Sequence, residues 1–182
     1  MSASNTTTQR RVAEPVEAQG AGPSREHAWA IAATVTDPEV PVLTIEDLGV
    51  LRAVEVEGDR AIVTITPTYS GCPALETMRD DVRGALLAAG YAEVDVSMTL
   101  SPVWTTDWMS DDGKRKLREY GIAAPNGRAA VHGERVTLRM AVKCPRCDSL
   151  DTRELARFGS TSCKALYECR SCLEPFDFFK VL

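Results

Sequence analysis

The cysteines carry the chemistry of this sequence. There are six in 182 residues. Cys144, Cys147, Cys163, Cys169 and Cys172 crowd the C-terminal end, and Cys72 stands alone. "CPRC" and "CRSC" form two C-x2-C pairs with 21 residues between them. Each pair places two sulfurs on one turn, so two such turns can close a tetrahedral four-thiolate site from Cys144, Cys147, Cys169 and Cys172. Zn2+ prefers that soft, closed geometry, and it replaces a core too small to hold itself. A rubredoxin-like iron site uses the same ligands, and the bland alternative is four reduced cysteines without metal. Cys163, in "FGSTSCKALYEC", is open to three readings: a buried small residue, an alternate metal ligand or an exposed thiol.

Cys72 lies in "TPTYSGCPALETMRDDV", where an apolar strand stops and a helix starts. Pro73 suits the first helical position, which puts Cys72 at or next to the N-cap. Backbone N–H groups and the positive end of the helix dipole favour a thiolate there, so a lowered pKa is expected. The competing reading is a structural cysteine filling the core. A cysteine–histidine hydrolase fits poorly: only His27 and His132 exist, neither in a nucleophile motif. One thiol beside hydroxyl and acidic groups better suits transient metal or cluster handling.

The elements that must position these residues are legible in outline. Residues 1–23 have no apolar period and read as a disordered tail. Ser24 caps a helix through "REHAWAIAATV", with Glu26 in its first turn and Trp29 and Ala33 on one face. The prolines of "TDPEVP" stop it. "VLRAVEVEGDRAIVTITPT" is a hairpin turning at Gly58-Asp59. "PALETMRDDVRGALLAAG" is a helix with Leu75, Met78, Val82 and Leu86 on one stripe, ended by Gly90. "YAEVDVSMTL" alternates as a third strand. After Trp104 and Trp108, Ser110 caps a short helix that Gly121 terminates. The organisation is therefore α+β: a small α/β sandwich over 24–105, a helical linker over 106–138 and a zinc ribbon over 139–182.

Composition narrows the function. The net charge of -5 disfavours a non-specific nucleic-acid binder. Lys143, Arg146, Arg153, Arg157, Lys164 and Arg170 give the ribbon a basic aspect, but Asp148, Asp151, Glu154 and Glu168 interrupt it. No apolar run is long enough to span a membrane, and the N-terminus lacks a secretory h-region, so a cytoplasmic location is expected. There is no G-x-G-x-x-G for a dinucleotide and no Glu-x-x-His pair for a di-iron oxygenase.

"DPEVPVLTIEDLGVLRAVEV" with "PTYSGCPA" resembles the MIP18-type domain, also called the domain of unknown function 59, which is associated with iron–sulfur cluster assembly. Adding "SPVWTTDWMSDDGKRKLREYGIAAP" and the cysteine-rich tail, the chain from about Ser24 onward is similar to the PaaD-type (PaaJ) subunits of bacterial phenylacetate degradation. That resemblance implies an MIP18-like sandwich followed by a zinc ribbon. It implies a non-catalytic accessory factor beside the monooxygenase that epoxidises phenylacetyl-CoA, with its oxygenase and reductase components as partners. The cofactors implied are structural Zn2+ and, in transit, iron or an iron–sulfur cluster. The matching family motif residues are Asp37, Pro38 and Glu39 in a first loop and Thr68, Ser70, Gly71 and Cys72 in a second. In the leading reading Cys72 handles iron or a cluster and the ribbon docks the client. In the alternative the chain is a pure adaptor holding the oxygenase components together, with Cys72 inert.

Overall fold

A computed structural model describes residues 24–126 and 141–181. The tail expected over 1–23, the later part of the expected linker (127–138) and His132 lie outside the described residues. Helix α1 (Arg25–Ala32) opens where expected, with the Ser24 side chain accepting from the His27 N–H at 3.1 Å. Its buried stripe is Ala28 and Ala32, not Trp29 and Ala33. Trp29 is half-buried and donates its indole N–H to Glu46 at 2.7 Å, because a ring with a polar edge gains by facing water at the rim.

The "TDPEVP" segment does more than stop a helix. It forms a two-stranded ribbon, β1 (Thr36–Asp37) and β2 (Val40–Thr44), turned at Pro38-Glu39. The Asp37 carboxylate accepts from the Glu39 and Val40 N–H groups at 2.7 and 3.1 Å. That local turn holds the segment in a tight bend, which side-chain alternation alone does not announce.

The hairpin β3 (Leu51–Glu57) and β4 (Arg60–Ile65) forms in the expected place, with Gly58 at φ 66 in its turn. Helix α2 (Ala74–Ala88) then crosses over to β5 (Glu93–Met98), which lies parallel to β4 in the order β3-β4-β5. A parallel neighbour requires such a crossover. Ala61, Val63 and Ile65 of β4 and Val94 and Val96 of β5 bury one face of the sheet. They share a single apolar core with Leu75, Met78, Val82 and Leu86 of α2.

The expected linker is not a linker over its described part. A 3-10 turn (Thr106–Trp108) and helix α3 (Asp111–Tyr120) are built onto the first module. Leu117 is fully buried, Met109 and Ile122 join the same core, and Trp104 donates its indole N–H to the Leu48 carbonyl at 2.9 Å. The helix carries one leucine among many charges, so its sequence reads as solvated. Asp47 anchors it. That carboxylate, 7% exposed, accepts from the Thr44 N–H (3.1 Å), the Ser110 hydroxyl (3.1 Å) and the Lys116 ammonium (2.7 Å). A Cβ on Gly113 would meet Asp47 at 3.0 Å, so the first turn of α3 sits directly on this residue.

The C-terminal module is an antiparallel sheet, β6 (Thr152–Ala156), β7 (Lys164–Cys169) and β8 (Pro175–Phe179), in the order β6-β7-β8. It is joined to the first module through backbone. The Ala123 N–H donates to the Asp177 carbonyl at 2.8 Å, and the Phe179 N–H to the Ala123 carbonyl at 2.9 Å. Phe179, 1% exposed, leaves the ribbon's own core and enters the first one, its ring 6.3 Å from that of Trp104. Cys163 does the same.

Burial alone would raise the Asp47 carboxyl, but Lys116, the Thr44 N–H and Ser110 outweigh it and hold the pKa below the usual range. Asp47→Ala is expected to cost about 2 kcal/mol, since it unpairs hydrogen bonds to a charged group. Urea unfolding at neutral pH measures this. The wild-type contribution is present above the unfolded carboxyl's ordinary 3.8 and is lost as pH falls through the lower folded value. The wild-type and Asp47→Ala stabilities should therefore converge in acid.

Candidate functional site: a four-thiolate centre and a thiol seam

The two C-x2-C turns are built alike. In the first, the Cys144 N–H donates to the Ser149 carbonyl (2.9 Å) and the Asp148 N–H to the Cys144 carbonyl (3.0 Å). In the second, the Cys169 N–H donates to the Glu174 carbonyl (3.0 Å) and the Leu173 N–H to the Cys169 carbonyl (2.9 Å). The residues just past each pair, Asp148 and Leu173, take the left-handed conformation at φ 62 and 63. Non-glycine residues adopt it at a cost, repaid here by a loop that aims two sulfurs and several N–H groups at one point. Ser149 and Ser171 join the turns through their hydroxyls at 2.7 Å.

The four sulfurs lie within 4.8 Å of one another, Cys144 to Cys172 at 3.8 Å and Cys147 to Cys169 at 3.5 Å. A tetrahedron with bonds of ~2.3 Å from metal to sulfur has edges of ~3.8 Å, so the set fits one structural Zn2+ without rearrangement. Among the sulfurs, Cys169 is fully buried and its pKa is pulled down to about 6, chiefly by the Cys172 N–H and further by that of Ser171. N–H groups aimed at sulfur are what a thiolate ligand needs.

Cys72 sits elsewhere, half-buried against the first core. Its N–H donates to the Tyr69 carbonyl at 3.1 Å, closing the "TYSGC" loop. The helix begins at Ala74 with Pro73 as N-cap. The thiol pKa is raised, not lowered as the helix terminus led one to expect. Burial is the largest cause, and the charges of Asp37, Glu39 and Cys163 act in the same direction. Only the Ala74 N–H opposes them. Proline at the cap supplies no N–H, so the helix start is less effective than its position promises.

Of the residues expected around this thiol, the structure brings Asp37 and Glu39 within electrostatic reach of it. Thr68 is buried and Ser70 exposed, and among the described residues neither hydroxyl is bonded to the sulfur. Sequence reasoning left out Tyr69 and gave Cys163 no partner. The Tyr69 hydroxyl lies within electrostatic reach of Ser162, Glu39 and both Cys72 and Cys163, which sets the "TYSGC" loop near the "STSC" loop of the ribbon. Cys163 is 5% exposed and 2.9 Å from the Thr161 hydroxyl. Its pKa is raised by burial first, then by Asp37 and Glu39. Lys164, 4% exposed and 3.6 Å from Asp177, sets a positive charge beside this acidic cluster. The one signal for the pairing was that both cysteines end hydroxyl-rich loops, "PTYSGC" and "GSTSC".

Comparison with known proteins bears on both halves. Residues 129–180 match the PaaD zinc beta ribbon domain, and residues 26–101 match an iron-sulfur cluster assembly protein family. Over 162 residues the chain is 48% identical to one of the subunits of the "Putative 1,2-phenylacetyl-CoA epoxidase" of Escherichia coli (strain K12), covering 89% of this chain and 96% of that protein. It is 37% identical over 86 residues to an Fe-S protein maturation auxiliary factor of Porphyromonas gingivalis, covering 46% of this chain and 81% of that one. A crystal structure of a domain of unknown function, DUF59, from Bacillus anthracis aligns with a TM-score of 0.48 and 28% identity, over 51% of this chain and 90% of the other. Among the described residues no helix is long and apolar enough to cross a membrane.

Two outcomes are expected. Freshly purified protein should carry about one Zn2+ per chain by elemental analysis. Cys144→Ser should release it and shift tryptophan emission, because loosening β8 withdraws Phe179 from Trp104. Separately, Cys72 should react with iodoacetamide more slowly at pH 7 than a free thiol, and faster as pH rises past the ordinary thiol value of 9.0. Peptide mapping by mass spectrometry reads this site by site. The raised pKa means the fold favours the neutral thiol. That contribution to stability holds below the ordinary thiol value and is lost as pH climbs through the raised folded value.

Proposed function

The chain belongs to the PaaD-type family, and from that premise we propose that it is an accessory factor of the aerobic phenylacetate pathway that helps mature the iron–sulfur or di-iron centres of the phenylacetyl-CoA epoxidase. Its partners in this reading are the reductase and oxygenase components, and the iron or cluster is cargo, not a resident cofactor. The chain itself does not carry out epoxidation.

One observation carries the reading: a half-buried thiol, Cys72, lies within the electrostatic reach of two carboxylates, Asp37 and Glu39, well apart in sequence from the four-thiolate site. The two sites differ in kind. Four thiolates converging on one point make a closed site that holds a structural ion. One thiol with carboxylates offers mixed soft and hard donors and leaves positions open, which suits iron in transit. The raised pKa keeps the empty thiol protonated and slow to oxidise, since the thiolate is the reactive form. A carrier benefits from a ligand that stays quiet until metal displaces its proton.

The test is substitution of Cys72 in cells co-expressing the epoxidase components. Cys72→Ala removes one half-buried sulfur and is expected to cost about 1 kcal/mol, too little to unfold the module. Cys72→Ser keeps the shape but lacks the soft ligand. Both should retain the ribbon's zinc while the iron content of the co-purified reductase or oxygenase falls, together with growth on phenylacetate. Full iron loading with both variants would discard the maturation role and leave the adaptor reading, in which the two modules only bind protein.

A further inference from the structure

Phe158 of the ribbon joins neither apolar core. It follows β6 and is 63% exposed, and Leu155 within that strand is 48% exposed. The loop that carries Phe158 is nonetheless firmly held. The Gly159 N–H donates to the Lys164 carbonyl at 2.8 Å, the Lys180 N–H to the Cys163 carbonyl at 2.9 Å, and the Lys180 ammonium to the Arg157 carbonyl at 3.3 Å. A Cβ on Gly159 would meet a carboxylate oxygen of Asp177 at 3.0 Å, so the turn lies close against β8. The Lys180 ammonium sits 4.4 Å from the centre of the Phe158 ring and covers one face of it. A single exposed ring needs no explanation by itself. The charges around it supply one. The carboxylates of the three ribbon strands are all engaged: Glu168 pairs with Arg153 at 2.6 Å, Asp177 with Lys164 at 3.6 Å, and Glu154 accepts from the Tyr167 hydroxyl at 3.3 Å. Arg157 and Lys180 make no ion pair among the described residues, so two cations stand beside the ring without a counter-charge. Burial chiefly holds the Lys180 pKa below the ordinary lysine value, and Arg157 pushes in the same direction.

We infer that Phe158, Arg157 and Lys180 form a docking surface for an acidic segment of a protein partner, and that this segment belongs to the reductase or the oxygenase component. The identity of the partner rests on the proposed function; the chemistry of the segment rests on the patch. An aspartate or glutamate beside Arg157 and Lys180 supplies the counter-charge that the ribbon's own strands withhold. The guanidinium offers a planar fork that takes a carboxylate through two parallel bonds. An apolar side chain next to that carboxylate covers the open face of the Phe158 ring. Aromatic side chains and arginines are the groups that most often carry interface energy, and a ring already fixed in place loses little freedom when it is covered. A nucleic acid fits less well. It calls for a run of free cations along a backbone, whereas Arg153 and Lys164 are already paired and the chain carries a net charge of -5. Docking of this kind positions the partner, and Cys72 takes no part in it.

The experiment uses the full zinc-loaded chain and, as probes, the purified reductase and oxygenase components, with affinity read by titration calorimetry at low and at physiological salt. Wild type should bind one of the components, more weakly as salt rises. Phe158→Ala and Arg157→Glu should each weaken that binding by roughly tenfold or more. Their zinc content and urea midpoints should match wild type, because both side chains are exposed. Arg157→Lys, which keeps the charge, should recover part of the affinity. A zero-length carbodiimide, which condenses an amine with a carboxylate, should link Lys180 to an aspartate or glutamate of the bound component, as read by peptide mapping. Wild-type affinity in both Phe158→Ala and Arg157→Glu would overturn this surface and leave the proposed function standing. A link from Lys180 to Glu14 or Glu17 of the same chain would make its own N-terminal segment the occupant and overturn the proposal too. So would displacement of the component by a single-stranded oligonucleotide at physiological salt. Failure of wild type to bind either component would remove the partners themselves, and this surface with them.

Discussion

Convergence of four sulfurs on one point is the constraint on which the rest of this structure depends. The ribbon's own core is small: Ala123, Val142, Cys144, Ala165, Cys169, Phe176 and Phe178. A sheet of three short strands with so few buried side chains needs a staple. Two nearly identical turns provide it, each with a left-handed residue after its second cysteine. Fixing those turns fixes the ends of β7 and β8. With β8 fixed, Phe179 can leave the ribbon and occupy the first module's core beside Trp104. The same docking buries Cys163 in the first core, within electrostatic reach of Cys72. A metal site at one end of the chain thus decides what surrounds a thiol in the other half.

At that thiol, competing electrostatic effects have a clear winner. A helix N-terminus is worth roughly 0.3–1 kcal/mol to a nearby negative charge when exposed. Here the helix begins after a proline and offers the sulfur a single N–H, from Ala74. Against it stand partial burial and the charges of Asp37, Glu39 and Cys163. Burial penalises a thiolate directly, and like charges add to the penalty. The result is a protonated thiol among acids, with Lys164 close enough to offset part of their charge. A thiol with a raised pKa is quiet toward alkylating and oxidising agents, unlike the low-pKa thiolate that nucleophilic catalysis uses.

The segment between the modules shows how polar surface conceals structure. Helix α3 presents acids in its first turn and Arg118 in its last, as the dipole favours. Its docking depends on one carboxylate, Asp47, and one leucine, Leu117, each drawn into a core made largely by other elements. The turn at Ala123 then leads directly into the backbone pairing with β8. What reads as a spacer therefore sets the distance and angle between the modules.

Much was legible because it is local. The C-x2-C pairs, the Gly58-Asp59 hairpin, the apolar stripe of α2 and the Ser24 and Ser110 caps all depend on neighbours a few residues away, and the sequence alone determined them. The placement of Cys72 at a strand-to-helix loop was legible in the same way. Three things were decided only by the tertiary structure. The direction of the Cys72 shift depends on burial and on charges from distant segments, which no helix rule contains. The integration of α3 depends on a buried Asp47 whose partners lie far along the chain. The electrostatic influence of Cys163 on Cys72 comes from a segment far along the chain, whose ribbon sends Phe179 into the first core. Local propensity and spacing report how a segment bends; they carry no record of which distant segment will exclude water from it, and that exclusion sets the chemistry of a thiol.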